Sequence, residues 1–252
     1  RLIHRKVNSG GRCGARNVGI RESNGSILVI LNADVFPSGN FIEKILKHYK
    51  NGADYVLVES CVYNQGCLFP RFVEAQHHYN WDDTSDIEWT EGFSCRKEAA
   101  LKVGLFREST KIPLIAGEDG YFGEMLNKYG YNKIIDKSIV VSHTAPSSLK
   151  DYWKARSEKS TVFADYFLYR TPFSMIFKKL IGKLLLFILK LVTLIPFFYR
   201  AQKLSKYSKY KFMDIIPFVY ADIIQNFAWR AGEWISFTKL LNYKLRKDRS
   251  EV

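Results

Sequence analysis

The chain has 252 residues, 47% of them hydrophobic and 15% aromatic, a composition that suits a folded protein of one large domain or two small ones. Its net charge of +13 is uneven: residues 1–149 carry 18 Lys and Arg against 17 Asp and Glu (net +1), and residues 150–252 carry 20 against 8 (net +12). Nucleic-acid binding is argued against, because these cations alternate with long aliphatic runs and no zinc-finger, RNA-recognition or glycine-loop signature is present.

In chain order, Gly10-Gly11-Arg12-Cys13-Gly14-Ala15-Arg16-Asn17-Val18-Gly19-Ile20 predicts a loop leading into a helix through Glu22. Ser23-Asn24-Gly25 then closes that helix with a glycine suited to the left-handed turn. Asn24-Gly25-Ser26 fits the N-glycosylation pattern but enters a core strand, so the match is read as chance. The run Ser26–Leu31 is short and continuously apolar, which predicts a strand covered on both faces. It ends in Asn32-Ala33-Asp34, and a carboxylate at such a strand end is placed for metal or catalytic work. An Asp opening a turn before Pro37-Ser38-Gly39 explains the same residue.

Further along, His77-His78-Tyr79-Asn80-Trp81-Asp82-Asp83 through Trp89 and Glu91 is acidic and aromatic. Trp81, Trp89 and Glu91 are candidate acceptor contacts, since aromatic faces stack on sugar rings; a plain surface loop fits equally. Gly117-Glu118-Asp119-Gly120 precedes an amphipathic helix, where the acids cap the helix, act chemically, or both. His143 follows the apolar strand Ser138–Ser142 and reads as a strand-end histidine. Cys13, Cys61, Cys67 and Cys95 form no tight pair; reduced, buried thiols are expected, although the six-residue spacing of Cys61 and Cys67 leaves room for a disulfide.

Taken together, the loop-helix Gly14–Ile20, the apolar strand with its acidic end, Glu91–Ala100, Val103–Glu108, Glu118-Asp119 and Val140–His143 resemble family-2 glycosyltransferases of the GT-A fold. The likeness covers roughly residues 10 to 150, in the family's order and spacing. It implies an α/β domain with a mixed, mostly parallel sheet flanked by helices. It also implies transfer of a sugar from a nucleotide-activated or lipid-phosphate donor to a hydroxyl acceptor, with inversion. Asp119 matches the catalytic base, with Glu118 beside it. Asp34 matches a metal ligand for Mn2+ or Mg2+, supported by Asn32, and His143 can complete that site. Arg16 and Asn17, with Asn32 and Asp34, fall on the donor side; a structural salt bridge is the other reading of Arg16. Two departures weaken the pattern: Asn32 stands where the family has a second acid, and the chain starts at Arg1, already inside the pattern. The expectation is a C-terminal portion of a longer protein, missing part of its donor site. Arg156 lacks the Gln and Trp of processive relatives, so a processive polymerase is not expected. The rival reading is a non-catalytic membrane-peripheral module whose sugar site has decayed.

The basic half, residues 150–252, predicts a helical, membrane-associating region after a catalytic domain over 1–149. Residues 180–199 are apolar but contain Lys183, Lys190 and Pro196, too interrupted for a clean span of ~20 residues. On a helix, Lys179, Lys183 and Lys190 fall within roughly 40° of one another. Such an edge suits a helix lying among lipid headgroups with its lysines toward anionic lipid. Basic flanks at Lys178-Lys179 and Arg200–Lys211 fit a cytoplasmic membrane face. A re-entrant helix is a variant of this reading, and a true span and a soluble helical pair are the alternatives.

Overall fold

The computed structural model describes residues 11–81, 87–108, 112 and 114–250, with side chains through residue 246. Gly10 and the acidic Asp82 to Asp86 stretch of the candidate acceptor loop lie outside the described residues. Two compact units form: Arg1–Tyr63 with Thr84–Thr144, and Asn64–Asp83 with Ala145–Val252. The helical unit thus takes in residues 64–83, which the charge profile had grouped with the first half.

The first unit contains α1 (Gly11–Glu22), β1 (Ile27–Ile30), β2 (Val35–Pro37), α2 (Phe41–Lys50) and β3 (Tyr55–Val62). The next helix, α3 (Leu68–Trp81), belongs to the second unit. The first resumes with β4 (Phe93–Arg96), α4 (Lys97–Lys102), α5 (Glu118–Lys128) and β5 (Lys133–His143). The strands form one mixed sheet in the order β1-β4-β3-β5-β2. β3 and β5 run parallel from Tyr55↔Lys133 to Val62↔His143, and the other pairings are antiparallel. The parallel share is therefore smaller than the apolar runs imply. β1 also departs from expectation: only Leu28 of its four residues is buried, because β1 sits at the sheet edge and pairs on one side alone.

Strand alternation explains the two layers. Val56 and Val58 of β3 face α2, whose Phe41, Ile45 and Tyr49, spaced by one helical turn, join Ile139 and Val141 in one core. Tyr55, from the opposite face of β3, meets the ring of Phe93 at 6.1 Å. Phe93 in turn stacks on Trp89 at 4.2 Å, and Phe122 of α5 stacks on Phe106 at 4.3 Å. This aromatic layer carries the candidate site.

The second unit adds α6 (Leu149–Lys159), α7 (Phe163–Phe167), α8 (Phe173–Thr193), α9 (Ile195–Ser205), a 3-10 turn over Lys211–Asp214, and α10 (Ile215–Ser250). Phe69, Phe72, Tyr152, Phe197 and Phe218 form its core, with Phe69 stacked on Tyr152 at 4.3 Å. The acids that interrupt its apolar runs are buried and paired. Asp214 receives two hydrogen bonds from Arg71, at 2.9 and 3.0 Å, and Asp222 one from Arg200 at 2.7 Å. Two lysines of the α8 edge meet the protein's own carboxylates while staying half exposed: Lys179 reaches Asp165 at 3.3 Å and Lys183 reaches Glu233 at 2.7 Å. Among the described residues no single helix is long and apolar enough to cross a membrane; α8 and α9, bent by 84°, pass only as a pair.

Candidate active site

Helix α1 buries Cys13, Gly14, Asn17 and Ile20 along one stripe, which leaves Arg16 at the rim of that face. Its guanidinium lies between two rings, 5.3 Å from the centre of Trp89 and 5.0 Å from that of Phe106. Cation–π attraction of this kind strengthens as water is excluded, and the Arg16 side chain is only 12% exposed. The cation spends its donors on two groups. Nη2 donates to Asn32 Oδ1 at 3.2 Å, and Nη1 meets Glu118 Oε1 at 3.5 Å. Asn32 Nδ2 then donates to Glu91 Oε2 at 2.7 Å.

Asn17 builds the wall that holds its neighbour. Its amide donates to the Phe106 carbonyl at 2.8 Å and accepts the Phe106 N–H at 2.9 Å. It also donates to Glu108 at 2.7 Å. The donor-side assignment of Asn17 is thus matched by a positioning role: adjacent residues supply the cation and fix the ring beneath it.

Glu118 and Asp119 open α5 directly after its N-cap, Gly117. Glu118 is 1% exposed, and its Oε2 has no hydrogen-bond partner among the described residues. Burial first, then the neighbouring Asp119, pushes its carboxyl above the usual carboxylate range, against the pull of Arg16 and Arg12. Asp119 is half-buried, and its Oδ1 accepts from the Gly120 N–H at 2.8 Å. Both acids lie in the first turn of α5, where negative charge suits the helix N-terminus. Cys13, buried below Glu118 on α1, has its thiol pushed up to about 12, chiefly by burial. No disulfide links the four cysteines: Cys13 and Cys95 are buried, Cys61 is half-buried and Cys67 exposed.

Asp34 is exposed in the turn between β1 and β2, where Val35 N–H donates to the Asn32 carbonyl. Val35 pairs with His143 at the end of β5. The register therefore brings Asp34 one residue from the partner of His143, and His143 is half-buried there with Nδ1 3.4 Å from the Thr144 carbonyl oxygen. Asn32 does not join them, since both ends of its amide are taken by Arg16 and Glu91. Among the described residues no group of three or more His, Cys, Asp or Glu side chains converges as a metal site.

The acceptor candidates separate. Trp89 and Glu91 line the Arg16 cluster, whereas Trp81 lies in the other unit, 1% exposed and stacked on His77. A buried indole offers a sugar no face, so Trp81 is withdrawn as an acceptor contact. Sequence reasoning missed three contributors. Phe106 forms one wall. Glu88 anchors the strap before β4 through Tyr55, Asn127 at 2.7 Å and Lys133 at 3.1 Å. Thr90 accepts the Val58 N–H at 3.1 Å. No local pattern marks these residues, because their partners lie far along the chain.

Residues 1–109 match the model of the glycosyl transferase family 2. No curated protein matches the chain significantly. Among solved structures the chain is similar to a mannosyltransferase, PcManGT, from Pyrobaculum calidifontis in complex with GDP-Man and Mn2+, at 17% identity and a TM-score of 0.41. That match covers 88% of this chain and 52% of the other, so the chain spans about half the length of that transferase. It is also similar to S. aureus TarS 1-349 in complex with UDP-GlcNAc, at 14% identity and a TM-score of 0.44, covering 92% of this chain and 74% of that one. Over residues 1–109, less than half of its length, the chain is thus similar to glycosyl transferase family 2.

Proposed function

We propose that the first unit transfers a glycosyl group from a nucleotide-activated donor to an acceptor hydroxyl by single displacement, with inversion. One observation carries this reading: Arg16 ties Asn32, two residues from Asp34, to Glu118, the residue before Asp119. A neighbour of the donor-side acid and a neighbour of the candidate base thus share one guanidinium. In the reaction, Asp119 takes the proton of the acceptor hydroxyl. The acceptor oxygen bonds to the anomeric carbon as the carbon–oxygen bond to phosphate breaks, and that electron pair leaves with the nucleotide diphosphate. Arg16 holds Asn32 and Glu118 in place while Trp89 and Glu91 orient the sugar or acceptor.

Asp34, through its carboxylate, and His143, through its imidazole, are the residues that would hold Mn2+ or Mg2+. A cation held there would offset charge on the leaving diphosphate. The acceptor is a glycan or a lipid-linked saccharide.

The test is nucleotide release by the full-length protein with Mn2+ or Mg2+ over a panel of nucleotide sugars, beside Asp34→Ala and Asp119→Asn. Metal-dependent release that both substitutions abolish, with the fold retained by circular dichroism, supports the assignment. Absence of release from the wild type with every donor, with membranes supplied, favours the non-catalytic module instead.

A further inference from the structure

On α8, Lys179 and Lys183 are paired with Asp165 and Glu233, which offsets part of the positive charge along that edge. Opposite its buried Ile176, Leu180 and Phe187, α8 exposes Phe177, Ile181, Leu185, Ile188 and Val192, a broad apolar face with no lysine among them. Leu194, at a left-handed φ of 56°, then turns the chain through 84° into α9. From there to the first turn of α10 the exposed surface changes character. Ile195 is 72% exposed, Phe212 77% and Ile216 65%, with Phe198, Tyr199 and Met213 also exposed. Between these apolar groups stand the exposed lysines Lys206, Lys209 and Lys211. The one acid of residues 195–216, Asp214, is 2% exposed and neutralised by Arg71, and Arg200 is spent on Asp222. The surface of this segment therefore presents aromatic and aliphatic side chains with positive charge alone.

We infer that residues 195–216, with the exposed face of α8, form a docking surface for an anionic phospholipid bilayer and lie in its headgroup boundary. Charge decides between occupants. A second copy of this chain would bring the same lysines against one another, and like charges across an interface cost affinity. An anionic leaflet supplies the opposite charge while its acyl boundary covers the apolar groups, with each lysine near the surface contributing about 1 kcal/mol. The cleft of about 690 Å3 at the elbow, lined by Leu194, Ile195, Phe198, Tyr199 and Ile215 among others, faces the same boundary and admits a lipid chain. The inference is independent of the transfer chemistry.

The experiment is co-sedimentation of the full chain with vesicles of phosphatidylcholine alone and with 30% phosphatidylserine, at low and high salt, beside Lys206→Gln/Lys209→Gln/Lys211→Gln and Phe212→Ser/Ile216→Ser. All changed residues are solvent-facing, and circular dichroism checks the fold. Wild type should bind anionic vesicles and lose binding in salt. The lysine variant should bind about a hundredfold less at ~1 kcal/mol per charge, and the apolar variant should also bind less. Phe212→Trp should be quenched by brominated lipid. Binding that is equal on neutral vesicles, or unchanged in both variants, overturns the proposal. So does a dimer in light scattering that Phe212→Ser/Ile216→Ser dissociates while no vesicle binds.

Discussion

Asn32 donates to Glu91 at 2.7 Å while accepting from Arg16 at 3.2 Å, so both ends of its amide are fixed by charged partners. Position 32 is where the family pattern places an acid, and an acid there would lose the donor that Glu91 accepts. Asn32→Asp would set two carboxylates at hydrogen-bond distance, and one must take up a proton or move away. We expect Asn32→Asp to lower stability by about 1–3 kcal/mol in denaturant unfolding. Adding Glu91→Gln, which restores a donor opposite the new acid, should recover at least half of that loss. An Asn32→Asp variant as stable as wild type would show that the Glu91 contact contributes nothing. A loss that Glu91→Gln recovers would instead place the asparagine in the site's charge balance.

Arg16 is held by two rings and two polar partners, and lysine reproduces only the charge. Arg16→Lys should cut kcat/KM for the nucleotide sugar at least tenfold, because a point charge cannot bridge Asn32 and Glu118 together. Arg16→Ala should in addition destabilise the unit by about 3 kcal/mol, leaving Glu118 buried without its cation. Steady-state kinetics beside urea unfolding separates the two effects. Lysine with full activity would remove the bridge from the mechanism.

The parts legible in the sequence are those with a local cause. Residues Gly11–Glu22 fold as the predicted helix, although Gly25 does not take the left-handed conformation expected of it, and α5 starts where its two acids predict. Asp34 and His143 were each legible as ends of apolar runs; their adjacency was not, since it arises from an antiparallel pairing across about a hundred residues of chain. Trp81 and Trp89 read alike in sequence, eight residues apart in one aromatic stretch. The first packs in a helical core and the second against Arg16, a distinction set by tertiary packing that periodicity does not carry. The lysines of α8 align as helical geometry requires, yet the carboxylates that claim them, Asp165 and Glu233, lie on other helices.

Glu118 sets a pH dependence whose sign follows from its environment. Burial, then Asp119, raises its carboxyl above the ordinary 4.5. The folded protein therefore keeps a proton that the unfolded chain has released. The contribution to stability is complete below about pH 4.5 and is lost as pH rises through the folded value. Glu118→Gln cannot ionise, so wild type should lose melting temperature relative to this variant between pH 5 and pH 8. Paired thermal melts across that range check the prediction; a constant difference, or one of opposite slope, contradicts it.

Gly92 delivers Glu91 to Asn32, and two constraints make that position glycine. Its φ is +78°, and a Cβ there would sit 2.9 Å from Val141 Cγ1 and 3.0 Å from Val58 Cγ2. Gly52 separates the two causes, since its φ is +89° yet a Cβ would meet nothing within 4 Å. Gly52→Ala should cost about 1 kcal/mol, from backbone strain alone. Gly92→Ala should cost that amount plus about 1–3 kcal/mol from overpacking between two β-branched side chains that have little room to yield. Because the strain displaces the residue beside it, Gly92→Ala should also reduce transfer activity at temperatures where it remains folded, and Gly52→Ala should not. Equal losses of stability in the two variants would mean that the sheet yields locally and that the close approach does not hold Glu91 in place.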